Sequence, residues 1–303
     1  QWIMNFFAHL IQFPWEKPTV ALVLKGPKGV GKNQLMEPFA HLLGDYFVES
    51  AERRYITGNF NSHLERCLLL LLDEAFWSGD KQSDGIIKSL ITSPRRRIER
   101  KGFDTYNVKN CMRVVVLGND DWLVPASADE RRYAVFEVGT DRQHDIKFFR
   151  EMNDGMKAGG ASVLVNHLKT IPVDKELLFT PPKNKSLLKQ KLESFSPIEM
   201  WWYECLSAGE ITDSGAEGWP AEIDKADAYT SFQRFHRGRG ASSWIPPLTS
   251  FYKTLYKISP SIRTTRKFKE TRKIAMPLLY TARKEFINYL GYNEPFMDEF
   301  YDL

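Results

Sequence analysis

Gly26-Pro-Lys-Gly-Val-Gly-Lys-Asn33 is the stretch on which the reading of this chain turns. The pattern G-x-x-x-x-G-K-[ST] wraps backbone N–H groups around phosphates, sets a lysine on the β/γ-phosphates and puts a hydroxyl on Mg²⁺. Gly26, Gly31 and Lys32 stand at the required spacing, Pro27, Lys28, Gly29 and Val30 fill the loop, and Asn33 replaces the hydroxyl. Upstream, Thr19-Val-Ala-Leu-Val-Leu24 is apolar and β-branched, which predicts a strand; downstream, Gln34 to Leu43 has helical spacing. Strand, glycine loop and helix together aim a helix N-terminus at an anion. An ordinary tight turn is the other reading of the glycines.

Further along, Cys67-Leu-Leu-Leu-Leu-Leu-Asp-Glu74 is an apolar run closing on two acids. Its leucines fit a strand buried on both faces, as at the centre of a parallel sheet. Asp73 is the candidate Mg²⁺ ligand, with Asn33 beside it as a weaker amide one, and Glu74 is the candidate base for an attacking water. A pair of acids at a strand end or helix N-cap is the plainer alternative. Arg113-Val-Val-Val-Leu117 predicts another buried strand, ending at Asn119, which fits a polar sensor of the γ-phosphate or a residue of a Gly-Asn-Asp turn. Asp129-Glu-Arg-Arg132 precedes a third strand, Tyr133 to Val138. Arg131, ahead of Arg132, is the candidate finger that neutralises charge on a transferring phosphoryl group, against an ion pair with the neighbouring acids.

Between the acids and Asn119, the segment Ser93–Asp104 carries Arg95, Arg96, Arg97, Arg100 and Lys101 against Glu99 and Asp104. Ile98 to Phe103 reads as a hairpin turning near Lys101-Gly102. Such a basic hairpin beside a nucleotide site can grip a phosphate backbone; a merely solvated face is the alternative.

Composition sets the limits. The 303 residues are 43% hydrophobic and 26% charged, which is ordinary globular material with room for two domains. A net charge of +4 names no partner by itself. Cys67, Cys111 and Cys205 are far apart without a C-x-x-C, so they read as reduced thiols of a cytosolic protein and not as a disulfide or zinc site. The longest aliphatic run is far short of the roughly 20 residues a membrane helix needs, and no signal peptide is evident. Because the chain opens inside an amphipathic pattern (Trp2, Phe6, Leu10), a piece of a longer protein is expected.

The order of these motifs resembles the superfamily 3 helicase domain of phage and plasmid primase-helicases. The likeness is strongest to the helicase-like C-terminal part of a deep-sea vent phage primase-polymerase. Phrases outside the motifs, His9-Leu-Ile-Gln-Phe-Pro14 and Lys88-Ser-Leu-Ile-Thr92, look similar too. The resemblance covers residues 1 to about 140. It implies an α/β P-loop NTPase core of AAA+-like type, ATP with Mg²⁺ bound between the subunits of a hexameric ring, and single-stranded DNA in the channel. Within that frame Lys32 holds the β/γ-phosphates, Asp73 handles Mg²⁺, Glu74 is the base and Asn119 the sensor. Arg131 or Arg132 is the finger and Lys101 the channel-lining tip. It also implies an upstream primase-polymerase portion and a place in the host cytoplasm. Asn33 departs from the pattern and bears on hydrolysis more than on binding.

The expected organisation is a helical segment over 1–18, the P-loop core over 19–140, a helical lid and linker over 141–195 with Pro181-Pro182 in it, and a helical domain over 196–303. That last domain reads as a small helical or winged-helix fold, with Trp201 and Trp202 as core. Its segment Ser261–Lys273 holds six basic residues against one acid, and His236 falls in a glycine-rich loop without a metal pattern. A nucleotide-stabilised ring platform of low turnover is the rival function, and a small-molecule kinase a more distant one.

Overall fold

A computed structural model of the chain describes residues 1–52, 55–56, 58–73, 81–212, 218–239, 244–265 and 272–293, with residues 81–84 as backbone only. Two compact units result: Gln1–Ala126 with Glu130–Gln190, and Ser127–Asp129 with Lys191–Leu303.

The first unit is built on a parallel sheet. Its strands are β1 (Ala21–Lys25), β2 (Phe47–Ser50), β3 (Leu69–Asp73), β6 (Arg113–Gly118) and β7 (Tyr133–Glu137). The intervening β4 (Arg95–Ile98) and β5 (Tyr106–Lys109) pair with each other as an antiparallel hairpin. The sheet order is β2-β3-β6-β1-β7, and every pairing in it is parallel. Leu69, Leu70, Leu71 and Leu72 are each at most 2% exposed, as a run covered on both faces requires. One face packs Val23, Leu70, Leu72, Val114 and Val116 against Ile87, Leu90 and Ile91 of helix α3 (Lys81–Thr92). The other packs Leu22, Leu24, Leu71 and Val115 against helices α1 (Trp2–Gln12) and α2 (Lys32–Leu43). Each fully buried leucine or valine here stabilises the fold by roughly 1.5–3 kcal/mol relative to exposure.

After β7 come α4 (Ile146–Gly155), α5 (Ala161–Thr170), α6 (Lys175–Phe179) and α7 (Lys185–Glu193). α5 and α6 return to the first helix: Trp2 donates to the Leu177 carbonyl at 2.9 Å, and Gln12 donates to the carbonyls of Leu168 and Ile171 at 2.7 and 2.8 Å. Pro181-Pro182 leads straight into α7, and the two units divide within that helix. Strand β2 has no counterpart in the sequence reading. Its four edge residues, Phe47 and Val48 half-buried, Glu49 exposed and Ser50 buried, give no apolar run to detect.

In the second unit the elements run α8 (Pro197–Ala208), β8 (Glu222–Asp224), α9 (Lys225–Gly238), α10 (Leu248–Ile258), β9 (Arg263–Thr265), β10 (Lys273–Ala275) and α11 (Leu279–Tyr289). β10 pairs antiparallel with both β8 and β9. A helix pair followed by such a hairpin is winged-helix order, one of the two forms expected from the sequence. Ser196 and Glu199 form a capping box that starts α8, and Trp201 and Trp202 are fully buried, as expected. His236 corrects the reading of a loop: it lies inside α9, 5% exposed, its ring 3.2 Å from the Trp244 carbonyl. The central part of the basic segment, 266–271, lies outside the described residues.

Candidate nucleotide-binding site

Parallel register brings the glycine loop, Asp73 and Asn119 to one end of the sheet strands. Lys25 is aligned with Gly118, and Asp73 with Leu117, so β1, β6 and β3 end side by side. The Gly26 N–H donates to the Gly118 carbonyl at 3.1 Å, and Lys25 reaches Asp121 at 2.8 Å. That contact holds the Asp121 carboxyl below the usual carboxylate range and ties the Asn119 turn to the glycine loop. Lys28, Lys32, Asn33, Asp73, Gly118 and Asn119 line one cavity of about 690 Å³, well within the size of small-ligand pockets.

The loop turns as its glycines permit. Gly29 and Gly31 have φ of +84° and +88°, a region strained for any side chain. Lys32 opens α2, 9% exposed, its ammonium donating to the carbonyls of Gly26 and Pro27 at 2.5 and 2.9 Å. Asn33 follows on the first turn. Its Nδ2 donates to Asp73 Oδ2 at 2.6 Å. Since an ionised carboxylate only accepts, the amide turns its NH₂ toward Asp73, and Asn33 Oδ1 stays available as an acceptor. Amide and carboxylate oxygens together are hard donors of the kind Mg²⁺ takes, so the residues fit such an ion. Glu49 on β2 was missed by sequence reading; burial first, and then the charge of Asp73, push its carboxyl above the usual range. Glu74 lies outside the described residues.

The opposite wall comes from α4 and the turn before it, which carry no recognisable motif. His144, at φ +61°, donates its backbone N–H to the Gly29 carbonyl at 3.0 Å. Gln143 reaches the Lys28 carbonyl at 2.9 Å, and Asn153 reaches Gln34 at 2.6 Å. The fit is close: a Cβ on Gly29 would stand 2.5 Å from the His144 ring, and one on Gly31 would stand 2.3 Å from Phe149. The only advance signal for this wall was the helical periodicity of the segment.

The hairpin residues separate into two groups. β4 alternates, so Arg95 and Arg97 face out while Arg96 and Ile98 are buried. Arg96 is 6% exposed, its guanidinium 3.2 Å from the Glu65 carbonyl and 3.3 Å from Met112 Sδ, and burial lowers its pKa. It cannot meet a nucleic acid from there, which corrects its place among the candidate DNA contacts. Arg97 donates to Thr105 Oγ1, and Arg100 pairs with Glu65. Lys101 and Gly102, with φ +81° at the glycine, form the exposed turn beside Phe103, which is 73% exposed.

Arg131 and Arg132 are also unlike. Glu130, its side chain fully buried, accepts both their backbone N–H groups and the Arg132 guanidinium at 3.1 Å. Arg131 is exposed. Both precede β7, whose Tyr133 aligns with Ala21 at the start of β1. The glycine loop leaves the far end of β1, about 17 Å away along a five-residue strand.

Residues 24–132 match a family model described as a family of unknown function (DUF5906). No curated protein sequence matches the chain. Among solved structures, the apo C-terminal region of NrS-1 superposes with a TM-score of 0.65 at 17% identity, over 90% of this chain and 70% of that one. A second structure of that region, in its A form, gives 0.67 at 15% identity over 91% and 70%. JCV helicase matches more distantly, with a TM-score of 0.34 at 12% identity over 67% of this chain and 59% of that one. The chain has the α/β parallel-sheet fold of the NrS-1 C-terminal region, the likeness to which its motifs pointed.

Proposed function

We propose that this chain is an ATP-dependent, DNA-engaging helicase-like module of a phage replication protein. In this reading ATP hydrolysis, within a homo-oligomeric ring of hexameric type, drives movement on single-stranded DNA. The observation that carries it is the meeting of the glycine loop, Asp73 and Asn119 around one cavity at the ends of β1, β3 and β6.

Backbone N–H groups of Gly29 to Lys32 and the Lys32 ammonium bind the β/γ-phosphates. Lys32 exchanges its two loop carbonyls for phosphate oxygens, a stronger charge-assisted contact. Asn33 Oδ1 and Asp73 would hold Mg²⁺, which supplies neutralisation of phosphate charge when bound. Asn119 orients the attacking water and Glu74 accepts its proton as the γ-phosphate leaves ADP. Arg131, out of reach of its own loop, serves the site of a neighbouring subunit. Lys101, with Arg95, Arg97 and Arg100, holds the DNA phosphates. An upstream primase-polymerase portion and a place in the host cytoplasm belong to the same reading.

A second reading keeps the nucleotide as interface glue in a ring platform of low turnover, favoured by the amide at position 33. Release of γ-phosphate from Mg²⁺-ATP, with and without single-stranded DNA and against Glu74→Gln, separates the two. DNA-stimulated turnover lost in that variant supports the motor. Tight ATP binding without turnover supports the platform, and no binding at all overturns both.

A further inference from the structure

Helix α4 presents a charged face to the cavity that neither the motifs nor the proposed mechanism uses. Ile146, Arg150 and Asp154 recur at helical spacing along α4, and together with Lys157, just beyond its end, they line the cavity with Lys32 and Asp73. Phe149 against Gly31, and Asn153 bonded to Gln34, fix this face toward the loop. Among the described residues neither Arg150 nor Lys157 has an ion-pair or hydrogen-bond partner. Arg142, on the turn before the same helix, is by contrast paired with Asp145. Two unpartnered cations thus face Lys32 across a ligand-sized cavity.

Resting on the nucleotide-binding reading, we propose that Arg150, assisted by Lys157, is a second phosphate-binding group acting on the nucleotide of its own chain. Its ligand is the polyphosphate of a nucleoside triphosphate, held between loop and helix. A guanidinium suits the task because its planar fork donates two parallel N–H bonds to phosphate oxygens and stays charged at any working pH. Lys32 and the loop hold the chain from one side and Arg150 closes it from the other. This role differs from that of Arg131, which lies at the opposite end of the sheet.

The test is an equilibrium titration of the full chain, with Mg²⁺ present, using a non-hydrolysable ATP analogue, ADP and AMP. Wild type is compared with Arg150→Ala, Arg150→Lys, Lys157→Ala and Lys32→Ala. Arg150→Ala should weaken the triphosphate about tenfold, ADP less and AMP least, with Arg150→Lys between it and wild type. Its thermal midpoint should stay that of wild type, since the side chain is exposed. Binding within twofold of wild type for all three ligands, while Lys32→Ala abolishes it, would overturn the inference and leave the nucleotide reading standing. So would a loss equal for AMP and the triphosphate, which marks the shape of the wall and not phosphate charge. Failure of wild type to bind any of the three overturns both.

Discussion

Asn33 donates its side-chain N–H to Asp73 at 2.6 Å, across the gap between the first turn of α2 and the end of β3. A serine or threonine at this position has one hydroxyl to serve both as donor to the acid and as oxygen ligand. The amide divides those tasks between two atoms, Nδ2 and Oδ1. The departure from the loop pattern therefore keeps the donor to the acid and changes only the quality of the ligand oxygen.

Replacing Asn33 by Thr should raise turnover, because the donor to Asp73 is retained and the oxygen gains anionic character. Replacing it by Leu should cost at least about tenfold in Mg²⁺-dependent nucleotide affinity, since Asp73 loses its partner and the site an oxygen. Phosphate release and Mg²⁺ titration measure these effects. Unchanged turnover in Asn33→Thr would count against the missing hydroxyl as the limitation.

Two arginine-region changes should part cleanly. Lys101→Ala should weaken single-stranded DNA binding whatever the sequence and reduce its salt slope by about one contact. Arg96→Ala should leave that slope alone and destabilise the fold by roughly 1–3 kcal/mol, through the lost bond to Glu65 and the space left behind. Binding isotherms at several salt concentrations and urea unfolding distinguish them. A reduced slope in Arg96→Ala would contradict its buried position.

Arg131→Ala should lower turnover about a thousandfold and leave ATP binding in place. Arg132→Ala should act on stability instead, by roughly 1–2 kcal/mol, because the buried Glu130 carboxylate loses one of its donors. Mixing Arg131→Ala with Lys32→Ala chains should restore activity, each supplying the half the other lacks. No recovery on mixing would oppose action between subunits.

His9 gives the fold an acid limb. It is 1% exposed; Arg113, only a donor, places Nη2 2.8 Å from its Nδ1, so the ring proton sits on Nε2, 3.5 Å from Glu16. Burial first, and then the Arg113 charge, lower its pKa to about 4. An unfolded chain takes up this proton near the ordinary 6.5, and the folded chain resists until about 4. The stability His9 contributes is thus whole above pH 6.5 and lost as pH falls toward 4. His9→Gln should flatten that loss, worth roughly 1–3 kcal/mol, in urea midpoints compared between neutral and acid pH. An unaltered slope would remove His9 as the cause.

The legible parts of this protein are those whose signal is local. The glycine loop is fixed by its own φ requirements, and β3 and β6 are buried on both faces and so read as unbroken apolar runs. Arg96 was legible in principle: strand alternation with Ile98 inward already turns it away from Arg95 and Arg97. Arg150 was not, because a cation on an amphipathic helix looks the same whether it faces water or a ligand. Only the anchoring of α4 by His144, Phe149 and Asn153 distinguishes the two cases.

The parallel pairing of β1 with β7 puts the glycine loop at one rim of the sheet and Arg131 at the other. In the proposed mechanism no chain can then finish its own reaction centre, and completion belongs to junctions. An open row of subunits always carries one centre fewer than it has members; closure of the row supplies the last. Output per subunit should accordingly climb with concentration and level off once rows close. At high dilution an intact, fully folded chain should bind nucleotide and yet stand idle.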